Sequence, residues 1–225
     1  MTTLRMESQQ ERPRERLMRY GPKVLTTSEL LAIILSTGPK GDSVVNFCHT
    51  LIQEFGGIRA LLNTPSEELQ QIHGLGTAKI AQLLALNEIS ARALEEPLRD
   101  QSILHQSSIV KQYCIHLLGH LETEHCYALF LNKGFKLIHT KIIAEGTIDQ
   151  AQVYPREFVK LALRYHAAYV IMAHNHPSGT LEPSMADLQL TAHLKEALNL
   201  VDIKLLDHLI VSNNKAISLA EEGHM

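Results

Sequence analysis

Residues 168–187 read AYVIMAHNHPSGTLEPSMAD, and this stretch predicts a strand, a turn and the start of a helix. The continuous apolar run 168–173 is typical of a strand that is buried on both faces of a sheet. Pro177 ends the strand, Gly179 allows the chain to turn, and a helix is expected from Ser184. A buried strand that leads into a covering helix predicts a domain built from layers of helix and sheet.

Three side chains in the same stretch have the chemistry of metal ligands. His174 and His176 lie two residues apart at the end of the strand, and alternate side chains of a strand point to the same side. Asp187 falls in the first turn of the next helix, which can pack back over the strand end. Two histidines and one carboxylate leave a fourth tetrahedral position open, which is typical of a catalytic zinc site. A plainer interpretation stays open, because the Ser184-x-x-Asp187 spacing also caps a helix.

The elements around this stretch predict an α/β (α+β) domain with a mixed sheet flanked by helices. The pattern indicates strands at 126–131, 135–143, 203–211 and 216–219, and helices at 107–121, from Tyr154 onward and at 184–200. Asn132-Lys133-Gly134 supplies the turn signal for a hairpin between the first two strands. Because strands and helices interleave along the chain, one layered domain accounts for all of them.

The first part of the chain predicts a separate, all-helical module over residues 1–100, followed by the sheet domain over 103–225. The break is expected at 95–106, where Pro97 and a polar, mixed-charge sequence are typical of a linker. Within the module, residues 72–76 (IHGLG) resemble a helix-hairpin-helix turn, whose glycines let the backbone approach a phosphate. Such contacts would bind DNA without reading its sequence. The alternative is a helical hairpin that serves packing or protein contacts.

Composition and charge exclude several classes of protein. The 225 residues carry a net charge of −3 with histidine neutral, which lacks the basic excess expected of a strong nucleic-acid binder. The sequence shows neither a signal peptide nor an apolar run long enough to span a bilayer, so we expect a soluble, cytoplasmic protein without membrane association. Three irregularly spaced cysteines form no disulfide framework and are expected to be buried free thiols.

The motif that carries the candidate ligands also carries a family resemblance. His-x-His-Pro-x-Gly followed by Pro-Ser-x-x-Asp resembles the JAMM (MPN+) metalloprotease motif, and Ala-His-Asn-His-Pro-Ser-Gly resembles the bacterial RadC family, which is UPF0758-like. The resemblance continues through the segments Glu145–Asp149 (EGTID), Tyr154–Glu157 (YPRE) and Leu206–Ile210 (LDHLI). It covers residues 103–225 strongly and residues 10–100 more loosely.

The resemblance implies a cytidine-deaminase-like layered fold with one zinc ion per chain, held by His174, His176 and Asp187. It also implies that the hydroxyl of Ser184 stabilises the oxyanion of a tetrahedral intermediate, as a helix-start hydroxyl can. The JAMM family takes its general base from a glutamate on an early strand of the domain. Glu124, just before the strand at 126–131, fits that place.

Two further residues near the motif leave alternatives open. Glu145 competes with Glu124 for the role of base, although the adjacent glycine favours a mobile surface position. Asp207-His208 matches a position of the family, and its strand context suits support of the ligands from behind or plain packing.

Together these observations predict a zinc-dependent metallohydrolase that cleaves peptide or isopeptide amide bonds with a zinc-activated water. The alternative is a DNA-associated repair or recombination accessory protein whose metal site is structural or vestigial. The sequence does not name the peptide or protein substrate, and it is silent on oligomeric state.

Overall fold

A computed structural model describes residues 11–146 and 153–225 of the chain. Thr147–Asp149, part of the family resemblance, lie outside the described residues. The chain divides into two compact units, Met1–Ile89 and Ser90–Met225. None of the helices in the described ranges combines the length and apolar character needed to cross a membrane.

The first unit is built from helices, as its sequence pattern predicts. They are α1 (Pro13–Tyr20), α2 (Thr27–Leu35), α3 (Val44–Glu54), α4 (Ile58–Asn63), α5 (Ser66–Leu69) and the first part of α6 (Thr77–Asp100), with a 3-10 turn at Pro22–Val24. Helix α2 is capped by Thr26, whose side chain accepts a hydrogen bond from the Glu29 backbone, while the Glu29 side chain accepts one from the Thr26 backbone in a capping box. The apolar faces of these helices meet in one buried cluster that includes Leu31, Leu51 and Leu83.

The predicted linker at 95–106 is partly wrong, because α6 continues through it to Asp100 with Pro97 inside the helix. A proline removes a single backbone donor, and the burial of Leu98 in the core of the second unit helps to offset that loss. Arg99 also stabilises the end of the helix, since its guanidinium donates a hydrogen bond to the Ile138 carbonyl at 2.7 Å. The irregular segment is therefore shorter than expected.

The turn that resembles a helix-hairpin-helix precedes α6, and its two glycines have different surroundings. A Cβ on Gly74 would lie 3.1 Å from Pro39 and 3.2 Å from the Phe47 ring, and Gly74 has a φ of 93°. A Cβ on Gly76 would meet nothing within 4 Å. The ammonium of Lys79 donates a hydrogen bond to the Gly74 carbonyl at 2.7 Å. Gly74 is therefore packed against its neighbours and Lys79 makes a hydrogen bond within the turn, whereas the space beside Gly76 is open.

The second unit is a five-stranded mixed sheet with helices on both faces, which confirms the predicted fold class. The strands are β1 (His125–Leu131), β2 (Leu137–Glu145), β3 (Tyr169–Asn175), β4 (Lys204–Ser212) and β5 (Lys215–Ser218), and the helices are α7 (Ser107–Leu118), α8 (Pro155–Arg164) and α9 (Met185–Asn199). The strand order is β2-β1-β3-β4-β5; the β3–β4 pair is parallel, and the other three neighbouring pairs are antiparallel.

The hairpin between β1 and β2 places β2 two residues later than expected. The Asn132 side chain accepts hydrogen bonds from the backbone of Gly134 at 2.8 Å and of Lys136 at 3.1 Å, so residues up to 136 belong to the turn. Phe135 has a φ of 58°, which is incompatible with a strand. A side-chain-capped turn therefore replaces the first residues of the expected strand.

Each face of the sheet contributes to its own buried cluster. One face packs against α7 and the end of α6 through residues such as Leu129, Ile171 and Leu118. The other packs against α8 and α9 through residues such as Phe130 and Phe158. Strand β3 is buried along almost all of its length because helices cover both its faces, which explains its continuous apolar sequence.

Candidate metal centre

His174, His176 and Asp187 converge at the end of β3, where the structure brings the three sequence-predicted ligands together. The two histidines are 7% and 8% exposed, and Asp187 is half-buried in the first turn of α9. The Nε2 atoms of the histidines lie 2.9 Å apart. Oδ1 of Asp187 lies 3.1 Å from Nε2 of His174, and Oδ2 of Asp187 lies 3.4 Å from Nε2 of His176. One small point is therefore surrounded by two nitrogens and a carboxylate.

These distances fit a tetrahedral metal site. Ligand atoms placed at zinc–ligand distances of about 2.0–2.1 Å around a tetrahedral ion lie about 3.3 Å from one another. The separation of 2.9 Å between the two nitrogens is close to that value, as are the 3.1 and 3.4 Å from each nitrogen to its nearer carboxylate oxygen. Nδ1 of His176 donates a hydrogen bond to the Thr180 carbonyl at 3.3 Å, which leaves the lone pair of its Nε2 directed at the cluster. The His-His-Asp group can hold a metal ion.

The charges of the cluster support each other. The neighbouring carboxylate of Asp187 raises the pKa of His176 despite the opposing effect of burial. Burial alone would raise the pKa of Asp187, but the imidazoles of His174 and His176 and the hydroxyl of Ser184 outweigh it and hold that pKa well below its usual range. Asp187 is therefore ionised at neutral pH, as a metal ligand must be.

Ser184 is the N-cap of α9, so the capping interpretation of the Ser184-x-x-Asp187 spacing is confirmed. Its hydroxyl accepts a hydrogen bond from the Asp187 backbone at 3.1 Å and donates one to Oδ2 of Asp187 at 2.7 Å. The same geometry places an exposed hydroxyl beside the carboxylate of the cluster. The hydroxyl of Ser184 can therefore cap α9 and still lie beside a candidate ligand, so capping is compatible with the predicted role in the site.

The strand pairing distinguishes the two candidate bases. Cys126 of β1 pairs with His174 of β3. Glu124 lies just before β1 and two residues before Cys126, so the alternation of side chains predicts that it shares the side of the cluster. The half-buried Glu124 contributes its negative charge to the raised pKa of His176. Glu145 is exposed and pairs with His125, whose side chain belongs to the opposite face. The strand register therefore favours Glu124 over Glu145 as a neighbour of the cluster.

Asn175, between the two histidines, anchors the segment that carries Glu124. It is 2% exposed, and its Oδ1 accepts a hydrogen bond from the His125 backbone at 2.8 Å. Its Nδ2 donates to the carbonyls of Leu121 at 3.1 Å and Thr123 at 3.0 Å. Sequence reasoning missed this residue, although a buried amide within an apolar strand was a visible signal.

Behind the cluster, His208 of β4 is fully buried and its Nε2 lies 2.7 Å from Nδ1 of His174. Thr191 of α9 contacts the other nitrogen of His208, with Oγ1 2.6 Å from Nδ1. Sequence reasoning left His208 between support of the ligands and packing, and it did not identify Thr191. The contact with His174 favours support of a candidate ligand over plain packing as the role of His208.

The helix-covered mixed sheet and its His-His-Asp group define the class of this domain as a JAB (MPN) domain that can hold a metal ion. The chain belongs to the family of the RadC-like JAB domain, whose family model matches residues 104–224. A second family model, UPF0758 N-terminal, matches residues 5–81. Both matches confirm the resemblance stated from the motif.

Similar proteins that match almost the whole of this chain occur in several bacteria. A UPF0758 protein of Bordetella parapertussis is 48% identical over 213 residues, which cover 95% of each chain. UPF0758 proteins of a Marinomonas species and of Aliivibrio salmonicida are 47% and 43% identical over 215 residues, or 96% of each chain. The similarity therefore extends over both units.

Proposed function

We propose that this chain is a zinc-dependent hydrolase that cleaves peptide or isopeptide amide bonds. The observation that carries the proposal is the convergence of His174, His176 and Asp187 at separations close to those of a tetrahedral site. Three protein ligands are the number typical of a catalytic zinc, whose fourth position is taken by water or substrate. Zinc bound there would act as a Lewis acid that polarises a carbonyl and lowers the pKa of water. Two imidazoles and a carboxylate form a donor set that suits zinc.

Glu124 is the general base in this proposal, because a base must lie near the attacking water without being a ligand. Its carboxylate accepts the proton of the water and later delivers it to the leaving amine. The pairing of Cys126 with His174 supports this assignment, and so does the effect of the Glu124 charge on the pKa of His176. The three hydrogen bonds of Asn175 hold the backbone on both sides of Glu124. A fixed backbone keeps the base preorganised for proton transfer.

Ser184 supplies the oxyanion donor. Its hydroxyl stands at the N-terminus of α9, where the free backbone N–H groups and the helix dipole favour negative charge. In the resting arrangement the hydroxyl proton points to Oδ2 of Asp187, and rotation about the C–O bond redirects it to a substrate carbonyl oxygen. An amide carbonyl therefore meets a base on one side and a hydrogen-bond donor on the other.

The direct experiment measures zinc and hydrolysis in the same preparations. Wild-type protein should contain one zinc per chain by elemental analysis, and His174→Ala/His176→Ala should contain none. The exposed His193 of α9 provides a control, and His193→Ala should keep the metal. Screening wild-type protein on peptide and isopeptide libraries then tests the reaction. Full zinc content in the double variant would disprove the site, and zinc-loaded protein inert on both libraries would argue against amide hydrolysis.

We also propose, as a second candidate, that the first unit binds DNA without sequence specificity. The supporting observation is the open space at Gly76, beside the first backbone amides of α6, where a phosphate can approach. The internal hydrogen bond of Lys79 and the net charge of −3 indicate modest affinity. Binding of this kind should fall steeply with added salt.

A further inference from the structure

A continuous chain of short contacts connects the side chain of one candidate ligand to the backbone of another. It runs from Nδ1 of His174 to Nε2 of His208 (2.7 Å), and from Nδ1 of His208 to Oγ1 of Thr191 (2.6 Å). It ends at the backbone carbonyl of Asp187, 2.6 Å from Oγ1 of Thr191. All three side chains in it are buried, with exposures of 7%, 0% and 2%.

We propose that His208 and Thr191 are positioning residues that fix the tautomer and orientation of His174 for the metal. The proposal rests on the proposed zinc site, because it assigns a role to residues behind its ligands. It adds two residues to the site, from β4 and from the second turn of α9. Neither residue touches the point where the three ligand atoms converge.

The direction of every proton in the chain follows from its last member. A carbonyl oxygen has no proton to give, so the Thr191 hydroxyl donates to the Asp187 carbonyl. Oγ1 of Thr191 then accepts from Nδ1 of His208, which leaves Nε2 of a neutral His208 as an acceptor. Nδ1 of His174 therefore carries the proton and donates it, and Nε2 of His174 presents a lone pair to the cluster.

The surroundings of His208 favour a neutral ring. It is fully buried, and its two ring nitrogens contact the Thr191 hydroxyl and the His174 imidazole rather than a carboxylate. A charge buried without an opposite charge in contact is costly. His176 reaches the same tautomer by a separate route, through its bond to the Thr180 carbonyl. Both histidines thus direct Nε2 to one point. The tautomer of His174 is set through the side chains of His208 and Thr191, whereas that of His176 is set by a backbone carbonyl.

The chain also connects the elements that carry two ligands. His174 belongs to β3 and Asp187 to α9, while His208 of β4 bridges the space between them. Removing the Thr191 hydroxyl would leave the buried Nδ1–H of His208 without its partner, which favours rotation of the ring. The acceptor for His174 would then be lost as well.

The test compares Thr191→Val with Thr191→Ser, since valine keeps the volume of threonine and serine keeps the hydroxyl. Zinc dissociation constants are measured by competition with a chromophoric chelator. Thr191→Val should bind zinc roughly 10–100-fold more weakly, the range found when a residue that supports a ligand is removed. Thr191→Ser should stay close to wild type. Equal affinity of wild type and Thr191→Val would overturn the proposal.

The tautomer is tested independently in metal-free wild-type protein by long-range nitrogen–proton NMR of the imidazoles, with His174 assigned by its absence in His174→Gln. A proton on Nδ1 is expected, and a proton on Nε2 would refute the chain even if Thr191→Val failed to fold. If wild-type protein binds no zinc but shows the Nδ1–H tautomer, the proposed function is refuted and the series of hydrogen bonds is supported.

Discussion

Replacing Asn175 by alanine should destabilise the second unit and slow hydrolysis while leaving zinc in place. The side chain makes three hydrogen bonds, one accepted from the His125 backbone and two donated to the carbonyls of Leu121 and Thr123. All three hold the segment from Leu121 to His125 that carries Glu124. Neither histidine ligand is touched, so the change separates the base from the metal.

The size of the effect follows from these contacts. A typical intramolecular hydrogen bond contributes about 1 kcal/mol, so the loss of three predicts about 3 kcal/mol in the free energy of unfolding. Water can recover little of this, because Asn175 is only 2% exposed. Asn175→Asp should be no better at neutral pH, since its second oxygen would face the two carbonyls that the amide now satisfies.

The assay combines urea unfolding, zinc content and steady-state kinetics on a substrate found in the library screen. The turnover number kcat should fall more than tenfold with little change in KM, because a loosened Glu124 loses its preorganised position. Asn199→Ala provides the control, since that amide is exposed at the end of α9. A loss of less than about 0.5 kcal/mol, the range of ordinary surface changes, would refute the reasoning.

The other predictions separate the remaining alternatives. Glu124→Gln should keep zinc but lower kcat by about 10²–10⁴, and Glu145→Gln should leave it nearly unchanged; equal losses in steady-state assays would remove the assignment of the base. Gly76→Asp should weaken DNA binding in low-salt titrations more than Gly76→Asn, because both side chains cap α6 but only the carboxylate repels phosphate. Equal affinities would argue against contact there. Gly74 is unsuitable, since any side chain would strike Phe47.

Local rules explain why so much of the second unit could be predicted from the sequence. The apolar run at 168–173 is β3 within two residues, and Ser184 caps α9 as its spacing indicates. His174 and His176 point to the same side of the sheet because residues i and i+2 of an extended strand do so. Such features depend on residues that are close in sequence, so the packing of distant segments does not change them.

The errors came from positions where distant contacts override local signals. Pro97 was expected in a linker, yet the packing of Leu98 and the hydrogen bond of Arg99 keep the helix intact to Asp100. At Gly74, Pro39 and Phe47 occupy the space that a side chain would need. Neither contact is visible in a pattern of neighbouring residues.

The sequence by itself determined the candidate ligands, the strand that presents two of them and the helix that presents the third. Only the tertiary structure favours one glutamate over the other as a neighbour of the cluster, because the pairing of β1 with β3 sets the expected side of Glu124. It also revealed Asn175 and the link from His208 to Thr191, residues brought together from separate elements. Periodicity along one strand fixes the direction of a side chain, whereas its partners depend on how strands and helices pack.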